Sequence, residues 1–357
     1  MKIGILTSGG DCAGLNAAIG AVTIAAARHG IETLGIRRGT VGLMGDNPDC
    51  VLLKPESFTH DLMHKPSTFL GTTNKGNPFQ YPDGEGAFDD RSEEIIRNIK
   101  KLGIETLIGI GGDGSLEILN SITQKGGINL IWIPKTIDND VDQTELSIGF
   151  YSAVSTANNF LNNLHATAQT HDVIMITEVM GRDAGHLALH SGLAGTADII
   201  LIPEIPYNLD SIVKKYREIK QTGRNYALIV VSEAVKDLDG NKVQRRSASG
   251  KVVYGGIGEY LKEQLGEVLK AEIRVQSPGH TLRGCAPTAQ DTILAKQFGQ
   301  KAVELILQKQ TGRMVAIKDG DIVDVDVREV AGKSREVDVE GHMVHTARAL
   351  NISFGDE

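Results

Sequence analysis

The stretch KIGILTSGGDCAGLNAAIGAVTIAAARH, residues 2–29, decides the fold of this chain. Its first six residues are mostly aliphatic or β-branched and predict a buried strand. The turn residues Ser8-Gly9-Gly10-Asp11 follow, and residues 15–29 then carry apolar side chains with helical spacing. A strand, a glycine loop and a helix in this order form the first half of a βαβ unit, the building block of parallel sheets.

The same alternation continues along the chain. The further predicted elements are strands at 106–110, 130–134, 173–177, 199–203 and 226–232, with helices at 116–124 and about 148–167. This order predicts an α/β fold with two doubly wound layers. No linker rich in serine, proline or glycine separates the halves, so a boundary near residue 150 follows from the element count alone.

Length and composition limit the class of protein. With 357 residues, of which 41% are hydrophobic and 23% charged, the chain is long enough for two domains. Its 41 glycines make it turn-rich but have no collagen-like period. The net charge of −8 argues against nucleic acid or an anionic membrane as the main partner. An anionic substrate would therefore need a local basic pocket.

Cysteine usage and the first residues indicate where the protein works. Cys12, Cys50 and Cys285 are far apart, which predicts neither a disulfide framework nor a zinc ribbon. No apolar run reaches the ~18 residues of a membrane helix, and the start lacks the pattern of a signal peptide. We expect a cytoplasmic protein with no membrane partner.

Two glycine loops predict phosphate binding. Gly9-Gly10-Asp11 and the stretch 111–115, GGDGS, each follow a predicted strand and open a helix. Free backbone N–H groups and the helix dipole favour an anion there. Each loop carries an aspartate, Asp11 or Asp113, which would repel a bare phosphate unless Mg²⁺ lay between them. For either loop alone, an ordinary tight turn is the alternative.

Residues 109–114, GIGGDG, also match the G-x-G-x-x-G fingerprint of dinucleotide-binding enzymes, so a dehydrogenase is the second hypothesis. Two features weigh against it. The charged Asp113 occupies a variable position of the fingerprint, and Lys135 stands where an acidic residue is expected about 20 residues on. A Walker A loop is absent, because Leu15-Asn16 follows Gly14 in place of Lys-Ser/Thr.

PKTIDND, residues 134–140, is the most informative stretch. At the carboxyl end of a predicted strand, where doubly wound folds bind ligands, it places two carboxylates, a lysine and a hydroxyl, on Asp138, Asp140, Lys135 and Thr136. One carboxylate can take a proton from a substrate hydroxyl while the other orients that hydroxyl or a metal. A calcium loop is excluded, because Gln143 and Gly149 occupy its glycine and glutamate positions.

Basic residues later in the chain predict recognition of a sugar phosphate. Arg182 follows another predicted strand and offers a guanidinium to a phosphate. Arg274, His280 and Arg283 form a compact basic set in an acidic protein. His186 and His190 stand four apart, as zinc ligands can, but no third ligand accompanies them, so we expect them on a helix face.

Together these motifs resemble the bacterial-type 6-phosphofructokinases, the A family. The resemblance covers roughly residues 1–310 and rests on motifs in the family's order and spacing: Thr7 to Asp11, Leu15 to Ala18, Gly111 to Ser115, Thr136 to Asp140, Met180 to Arg182, Pro203-Glu204, Ser232-Glu233 and Gly279 to Gly284. The stretch 71–79 and the region 136–186 look most like the cyanobacterial branch. The joint occurrence of the motifs is specific, whereas each motif alone is not.

The resemblance implies two similar Rossmann-like domains with the active site in the cleft between them. The donor-binding domain would comprise residues 1–149 and about 282–330, and the sugar-phosphate-binding domain residues 150–281 and about 331–357. The implied enzyme is a glycolytic kinase that transfers the γ-phosphoryl group of ATP to the 1-hydroxyl of fructose 6-phosphate with Mg²⁺. The implied assembly is a homotetramer, or a homodimer, with shared active sites.

The resemblance also implies roles for residues. Asp138 would be the base, helped by Thr136 and Asp140, while Arg182 would face the transferring group and Asp113 would hold Mg²⁺. The donor phosphates would be bound by Gly10, Gly111, Gly112, Asp113, Gly114, Ser115, Asn74, Lys75 and Lys135. The sugar phosphate would contact Thr136, Asp138, Asp140, Met180, Gly181, Arg182, Glu233, His280 and Arg283, with Arg274 reaching in from the adjacent subunit.

The choice of phosphoryl donor stays open, because the chain departs from the family pattern at the donor site. Gly114 favours ATP, since pyrophosphate-using relatives usually have aspartate there, yet Lys135 is shared with them. Asn74 replaces an arginine that bridges donor phosphates in many members, with Lys75 as a substitute. Gly20 and Ile24 replace arginines of the usual effector site, which predicts impaired regulation by nucleotides.

The sugar substrate stays open for a different reason. Val173 replaces an arginine that pairs with the sugar 6-phosphate, so either fructose 6-phosphate binds weakly or an apolar patch at Val173 faces another sugar or sugar phosphate. Val173→Arg is expected to strengthen binding in the first case. An inactive regulatory paralogue is the non-enzymatic alternative.

Overall fold

A computed structural model describes residues 1–74, 76–82, 87–246 and 252–357, with the backbone alone at 244–246 and 252–254. The chain divides into two compact units, each built from two separate segments. The first unit comprises Met1–Ser152 and Arg283–Ser334, and the second comprises Ala153–Leu282 and Arg335–Glu357. The chain therefore leaves the first unit, completes most of the second, and returns.

Strands and helices alternate through the described residues. The strands are β1 Lys2–Thr7, β2 Glu32–Ile36, β3 Cys50–Leu53, β4 Tyr81–Pro82, β5 Phe88–Asp89, β6 Thr106–Gly111, β7 Asn129–Pro134, β8 Ile174–Val179, β9 Ile199–Leu201, β10 Ala227–Ser232, β11 Gln244–Arg246, β12 Val252–Tyr254, β13 Ile273–Gln276, β14 Arg313–Lys318 and β15 Asp321–Asp326. The helices are α1 Leu15–Ala27, α2 His60–His64, α3 Ser92–Lys101, α4 Asp113–Gly126, α5 Phe150–His171, α6 His186–Ala194, α7 Leu209–Gln221, α8 Ile257–Leu269, α9 Ala289–Leu307, α10 Val327–Val330 and α11 His342–Ala349.

The first unit is built on a sheet with the strand order β15-β14-β7-β6-β1-β2-β3. Its central pairs are parallel, and the antiparallel strands β15 and β3 form the two edges. The register places Thr7 beside Ile110 and Gly111 beside Pro134. The carboxyl ends of β1, β6 and β7 therefore lie at one edge, and the motifs that follow them come together.

Trp132 of β7 packs against the neighbouring strand β6 in the first unit. Its side chain is fully buried, and its indole Nε1 donates a hydrogen bond to the carbonyl of Gly111 at 3.2 Å. A Cβ built on Gly109 would lie 2.5 Å from Cε3 of this indole, and closer still to Cζ3. Glycine at this position of β6 therefore leaves the space that the indole ring occupies.

The second unit is built on a parallel sheet with the strand order β13-β8-β10-β9. Helices α7 and α8 pack on one face, while α6 and α11 pack on the other. Val179 at the end of β8 lies beside Ser232 at the end of β10, so the turns after these strands are neighbours. The α/β architecture with doubly wound sheets is confirmed.

The predicted elements differ from the observed ones mainly at their ends. The helix expected over 116–124 begins at Asp113, because Gly112 is already its N-cap, and the strand expected over 199–203 ends at Leu201. The helix expected from about 148 to 167 spans Phe150–His171. In the described ranges, no helix has both the length and the apolar character needed to cross a bilayer.

The Trp132 packing generates a stability prediction. We expect Gly109→Ala to lower the free energy of unfolding by at least about 2 kcal/mol, because the new methyl overlaps a buried ring in a close-packed core. Gly266→Ala is the control, since Gly266 lies within α8 and its Cβ would meet nothing within 4 Å. It should raise stability by up to about 1 kcal/mol. Thermal unfolding that ranks Gly109→Ala at or above the wild type would contradict this account.

Candidate active site

A buried lysine organises the glycine loop after β1. Lys135 follows β7 and is only 3% exposed. Its Nζ donates to the carbonyl of Ser8 at 3.0 Å and to that of Gly10. Burial lowers the pKa of Lys135 and Arg283 lowers it further, whereas Cys12 and the carboxylates of Asp138 and Asp11 act in the opposite direction. The loop is therefore held by the amine of a side chain that is almost completely buried.

Arg283 holds the same loop at its far end. Its Nη1 donates to the carbonyl of Asp11 at 3.3 Å. A Cβ built on Gly10 would lie 2.6 Å from that nitrogen, so only glycine lets the guanidinium approach. The sequence places Arg283 with a sugar-phosphate set, and the structure shows it against the loop expected to bind donor phosphates. Two basic side chains thus flank Ser8 to Asp11, which favours an anion there.

The second glycine loop adjoins the first. Asp113, Gly114 and Ser115 form the first turn of α4 and are all half-buried. A Cβ on Gly9 would lie 3.3 Å from Oγ of Ser115 and 3.5 Å from Nζ of Lys135. The structure therefore brings both predicted phosphate loops to one place at a helix N-terminus.

The remaining predicted donor residues differ in the space that surrounds them. A Cβ on Gly114 would meet nothing within 4 Å, so the space beside this residue is open. Gly111 is enclosed by Trp132, while a Cβ on Gly112 would come no closer than 3.8 Å to the carbonyl of Lys135. Asn74 is exposed, and Lys75 lies outside the described residues.

The segment after β7 places a buried hydroxyl against a buried carboxylate. Thr136, Asp138 and Asp140 are all buried. Oγ1 of Thr136 accepts from the backbone N–H of Asp138 at 3.0 Å and donates to Oδ2 of the same residue at 3.2 Å. The hydroxyl therefore fixes one carboxylate oxygen of Asp138.

Asn139 shapes this segment, although the sequence analysis assigns it no role. Its backbone adopts a left-handed conformation with φ of 54°, which asparagine tolerates better than most residues. Its Nδ2 donates to the carbonyl of Glu145 at 3.0 Å, and its Oδ1 accepts from the backbone N–H of Ser147 at 2.9 Å. The side chain thus closes the loop that presents Asp138 and Asp140.

Asp291 is a second residue that sequence reasoning missed. It lies in the first turn of α9, fully buried, and burial raises the pKa of its carboxyl. Its oxygens accept from the backbone N–H groups of Gly149 and Ser152 at 3.0 and 2.7 Å. It therefore holds the start of α5, and the contact joins residues 139 or more positions apart in sequence.

In the second unit, a strained turn carries Arg182. The turn follows β8, and Arg182 has a left-handed backbone with φ of 52° and a side chain that is 52% exposed. Its Nε lies 3.7 Å from Oδ2 of Asp183. Oε1 of Glu233, just after β10, accepts from the backbone N–H groups of Gly181 and Arg182, both at 3.2 Å. Met180, at the start of the turn, is half-buried.

Arg274 and His280 are two further basic residues of the predicted sugar-phosphate set. Arg274 lies in β13 and pairs with Glu272, with 2.7 Å between Nη2 and Oε1. His280 is exposed in the short 3-10 helix Gly279–Leu282. Both belong to the second unit, and Arg283 belongs to the first.

Comparison with known proteins identifies the family. The sequence profile described as phosphofructokinase matches residues 2–306. The chain belongs to the phosphofructokinase family. It is similar to ATP-dependent 6-phosphofructokinase 1 of Synechocystis, with 48% identity over 100% of this chain and 99% of the relative. It is also similar to ATP-dependent 6-phosphofructokinase 1 of Nostoc, with 47% identity over 99% of each. The resemblance stated from the motifs, including its cyanobacterial character, is confirmed.

Solved structures share the fold. Phosphofructokinase from Saccharomyces cerevisiae superimposes with a TM-score of 0.77 at 27% identity, over 92% of this chain and 45% of the yeast chain. The pyrophosphate-dependent phosphofructokinase from Nitrosospira multiformis gives a TM-score of 0.81 at 22% identity, over 100% of this chain and 92% of the other. At that identity the second likeness concerns the fold alone.

The interpretation of Val173 as a patch facing a ligand is wrong. Its side chain is 0% exposed and packs with Ala168, Met175 and Leu228 in the interior of the second unit. An arginine introduced there would have to bury its guanidinium among apolar side chains, at a cost of several kcal/mol. Val173→Arg is therefore a destabilising change and no longer a test of substrate identity.

His186 and His190 lie on α6 as expected. Nε2 of His186 contacts the carbonyl of Arg335 at 3.1 Å, and Nδ1 of His190 contacts the carbonyl of His186 at 2.8 Å. Burial lowers the pKa of His186 to about 4, and Arg335 adds to the shift. Within the described residues, no group of three or more His, Cys, Asp and Glu side chains could hold a metal ion.

The buried His186 generates a pH prediction. The pKa of His186 is 6.5 in the unfolded chain and about 4 in the folded protein. At a pH between these values, the imidazole is protonated in the unfolded chain and neutral in the folded protein. Stability from His186 is therefore complete above pH 6.5 and is lost as the pH falls toward 4, by up to roughly 3 kcal/mol.

Denaturant unfolding at pH 7 and pH 4.5 can isolate this contribution. His186→Gln keeps a donor for the carbonyl of Arg335 but cannot titrate, so its stability relative to the wild type should improve by about 2 kcal/mol at the lower pH. His29→Gln, at an exposed position, is the control. The same pH dependence in all three proteins would contradict the role of His186.

Proposed function

We propose that this protein is an ATP-dependent 6-phosphofructokinase, which transfers the γ-phosphoryl group of ATP to the 1-hydroxyl of fructose 6-phosphate in glycolysis. Similarity over the whole length to kinases of that name supports the activity. The structural observation that carries the proposal is the fixed position of the buried Asp138 carboxylate. That carboxylate is fixed by Thr136 and follows the same strand as Lys135, which holds the phosphate loop.

Asp138 acts as the general base in this proposal. Its carboxylate accepts the proton of the 1-hydroxyl as the sugar oxygen attacks the γ-phosphorus, and the bond from that phosphorus to the β–γ bridging oxygen breaks to release ADP. The hydrogen bond from Thr136 occupies Oδ2 and orients the carboxylate. Asp140 and Asn139 complete the buried segment that keeps it in place.

Charge neutralisation is the second requirement of phosphoryl transfer. We propose that Arg182 faces the transferring group and that Gly10 and Gly111 to Ser115 bind the donor phosphates at the N-terminus of α4. Met180, Gly181, Glu233, His280 and Arg283 would contact the sugar phosphate, with Arg274 contributed by an adjacent subunit. The exposed guanidinium of Arg182 and the flanking of the loop by Lys135 and Arg283 support these roles.

Mg²⁺ fits this donor set as a companion of the nucleotide. Magnesium in kinases is typically held by one or two carboxylates together with substrate phosphates, so a protein site of three acidic ligands is not required. Asp113, half-buried at the start of α4, would hold it. When bound, the ion would neutralise charge on the β- and γ-phosphates.

Two features of the structure favour ATP over pyrophosphate. The space beside Gly114 is open, so a nucleotide phosphate can approach α4 without meeting a side chain. Lys135, the residue shared with pyrophosphate-using relatives, donates to two backbone carbonyls. Lys135 therefore has a structural role in holding the loop, and its presence does not require pyrophosphate as the donor.

Three expectations stay predictions. They are the homotetramer or homodimer, the cytoplasmic location, and the impaired regulation by nucleotides that Gly20 and Ile24 indicate. Sedimentation velocity of the purified protein would test the first of these. A substrate screen with other sugars and sugar phosphates would test the choice of acceptor.

Asp138→Asn tests the base. The amide keeps the shape of the side chain and cannot accept the proton, so we expect kcat to fall about 10²- to 10⁴-fold with little change in thermal stability. Asp142→Asn, four residues along the same loop, is the matched control and should keep near wild-type activity. Steady-state kinetics in which Asp138→Asn retains more than about a tenth of the wild-type kcat would exclude Asp138 as the base.

Gly114→Asp tests the donor. Wild-type kcat/KM should favour ATP over pyrophosphate. The new carboxylate fits the open space but repels a nucleotide phosphate at close range, so ATP use should fall by at least about tenfold. Gly114→Ala fills the same space without charge and should keep ATP as the donor. Wild-type kinetics that favour pyrophosphate would overturn the assignment.

A further inference from the structure

Glu204 makes an unusual pair of contacts in the second unit. It follows β9 by three residues and is half-buried. Its Oε1 accepts from the backbone N–H of Gly185 and from that of Val337, both at 2.9 Å. One carboxylate oxygen therefore joins two pieces of chain that are about 150 residues apart.

Gly185 is shaped to receive this carboxylate. A Cβ on Gly185 would lie 2.6 Å from Oε2 of Glu204 and 2.5 Å from Cγ2 of Ile202. The φ of Gly185 is −92°, which any residue can adopt, so its backbone does not demand glycine. What demands glycine at this position is the closeness of two side chains, that of Ile202, whose Cβ lies nearest, and that of Glu204.

Two carboxylates thus hold the turn that carries Arg182. Glu233 accepts from the N–H groups of Gly181 and Arg182 at its start, and Glu204 accepts from Gly185 at its end. The two glutamates follow β10 and β9, which are adjacent parallel strands. A left-handed arginine is a strained conformation that persists only where its surroundings restrain it. The carboxylates supply that restraint from both ends.

The second contact of Glu204 ties the turn to the last segment of the chain. Val337 lies just beyond the point at which the chain enters the second unit for the second time, at Arg335. The carbonyl of Arg335 contacts Nε2 of His186, the residue after Gly185. The segment 335–337 therefore lies directly against the start of α6, and Glu204 fastens it there.

We propose that Glu204 is a positioning residue for sugar-phosphate binding. It acts through the turn 180–185, by holding Gly185 against the segment 335–337 so that Arg182 keeps its orientation. This inference rests on the proposed function, in which the turn supplies Met180 and Gly181 to the sugar phosphate and Arg182 to the transferring phosphoryl group. It assigns a role in substrate affinity to a residue outside the proposed contacts to substrate.

Steady-state kinetics of the full-length enzyme, with fructose 6-phosphate and ATP varied in turn, test the proposal. Glu204→Ala removes the oxygen that accepts both hydrogen bonds and should raise the KM for fructose 6-phosphate by at least about tenfold. The KM for ATP should stay within about twofold, because the donor loops belong to other strands. Glu204→Gln keeps an acceptor oxygen and should restore the KM to within about threefold of the wild type.

Asp198→Ala is the matched control. Asp198 also accepts from a backbone N–H, that of Leu228 at 2.9 Å, but it precedes β9 and so lies at the opposite end of that strand. Its loss should lower the melting temperature and leave both KM values unchanged. Should Glu204→Ala fail to fold, Glu204→Asp serves in its place, since the shorter side chain draws the carboxylate away from both N–H groups.

The outcomes separate this inference from the proposed function. A wild-type protein that forms no ADP with fructose 6-phosphate would overturn both. An active wild type with a folded Glu204→Ala variant whose KM for fructose 6-phosphate is within about threefold of normal would overturn the inference alone. Equal rises in both KM values, or no rise in the KM for fructose 6-phosphate in Glu204→Asp where that variant replaces Glu204→Ala, would also overturn it.

Discussion

The site in the first unit depends on the hydrogen bonds that the buried Lys135 ammonium donates to the glycine loop after β1. Moving a charged amine out of water costs several kcal/mol unless its donors are satisfied. Here the donors meet the carbonyls of Ser8 and Gly10, at the end of a different strand. This contact joins the carboxyl ends of β1 and β7, which flank β6 in the sheet. The glycine loop and the Asp138 segment consequently hold fixed positions relative to each other.

The second unit also has a tight turn that is held by charged side chains, but there the charge is negative. In the first unit a cation holds a turn by its carbonyl oxygens, whereas in the second Glu233 and Glu204 hold a turn by its N–H groups. In both cases the charged group comes from the end of another strand of the same sheet. Ionic side chains directed at the backbone allow tight turns, because they satisfy main-chain groups that such turns leave unpaired.

Sequence reasoning reached the fold and the motif positions, because strand and helix periodicity and glycine loops are local signals. It could not reach the partners of those motifs. The contact of Asp291 with the start of α5 joins residues about 140 positions apart, and nothing near Asp291 indicates it. Val173 is a second example of what sequence alone does not reveal. A difference from the family pattern at this position does not tell whether the side chain is buried, and in the structure it is. Asn139, by contrast, carried a usable signal in its tolerance of left-handed backbone.

The discontinuity of the two units has a consequence for biosynthesis. Strand β14 pairs with β7, and α9 packs against α1, yet the ribosome delivers β14 and α9 only after all of Ala153–Leu282. Until then β7 is an open sheet edge, of the kind that invites pairing with other chains. The second unit in turn waits for Arg335–Glu357. During synthesis of Arg283–Ser334 the nascent chain therefore carries two unfinished cores, because each unit still lacks its second segment.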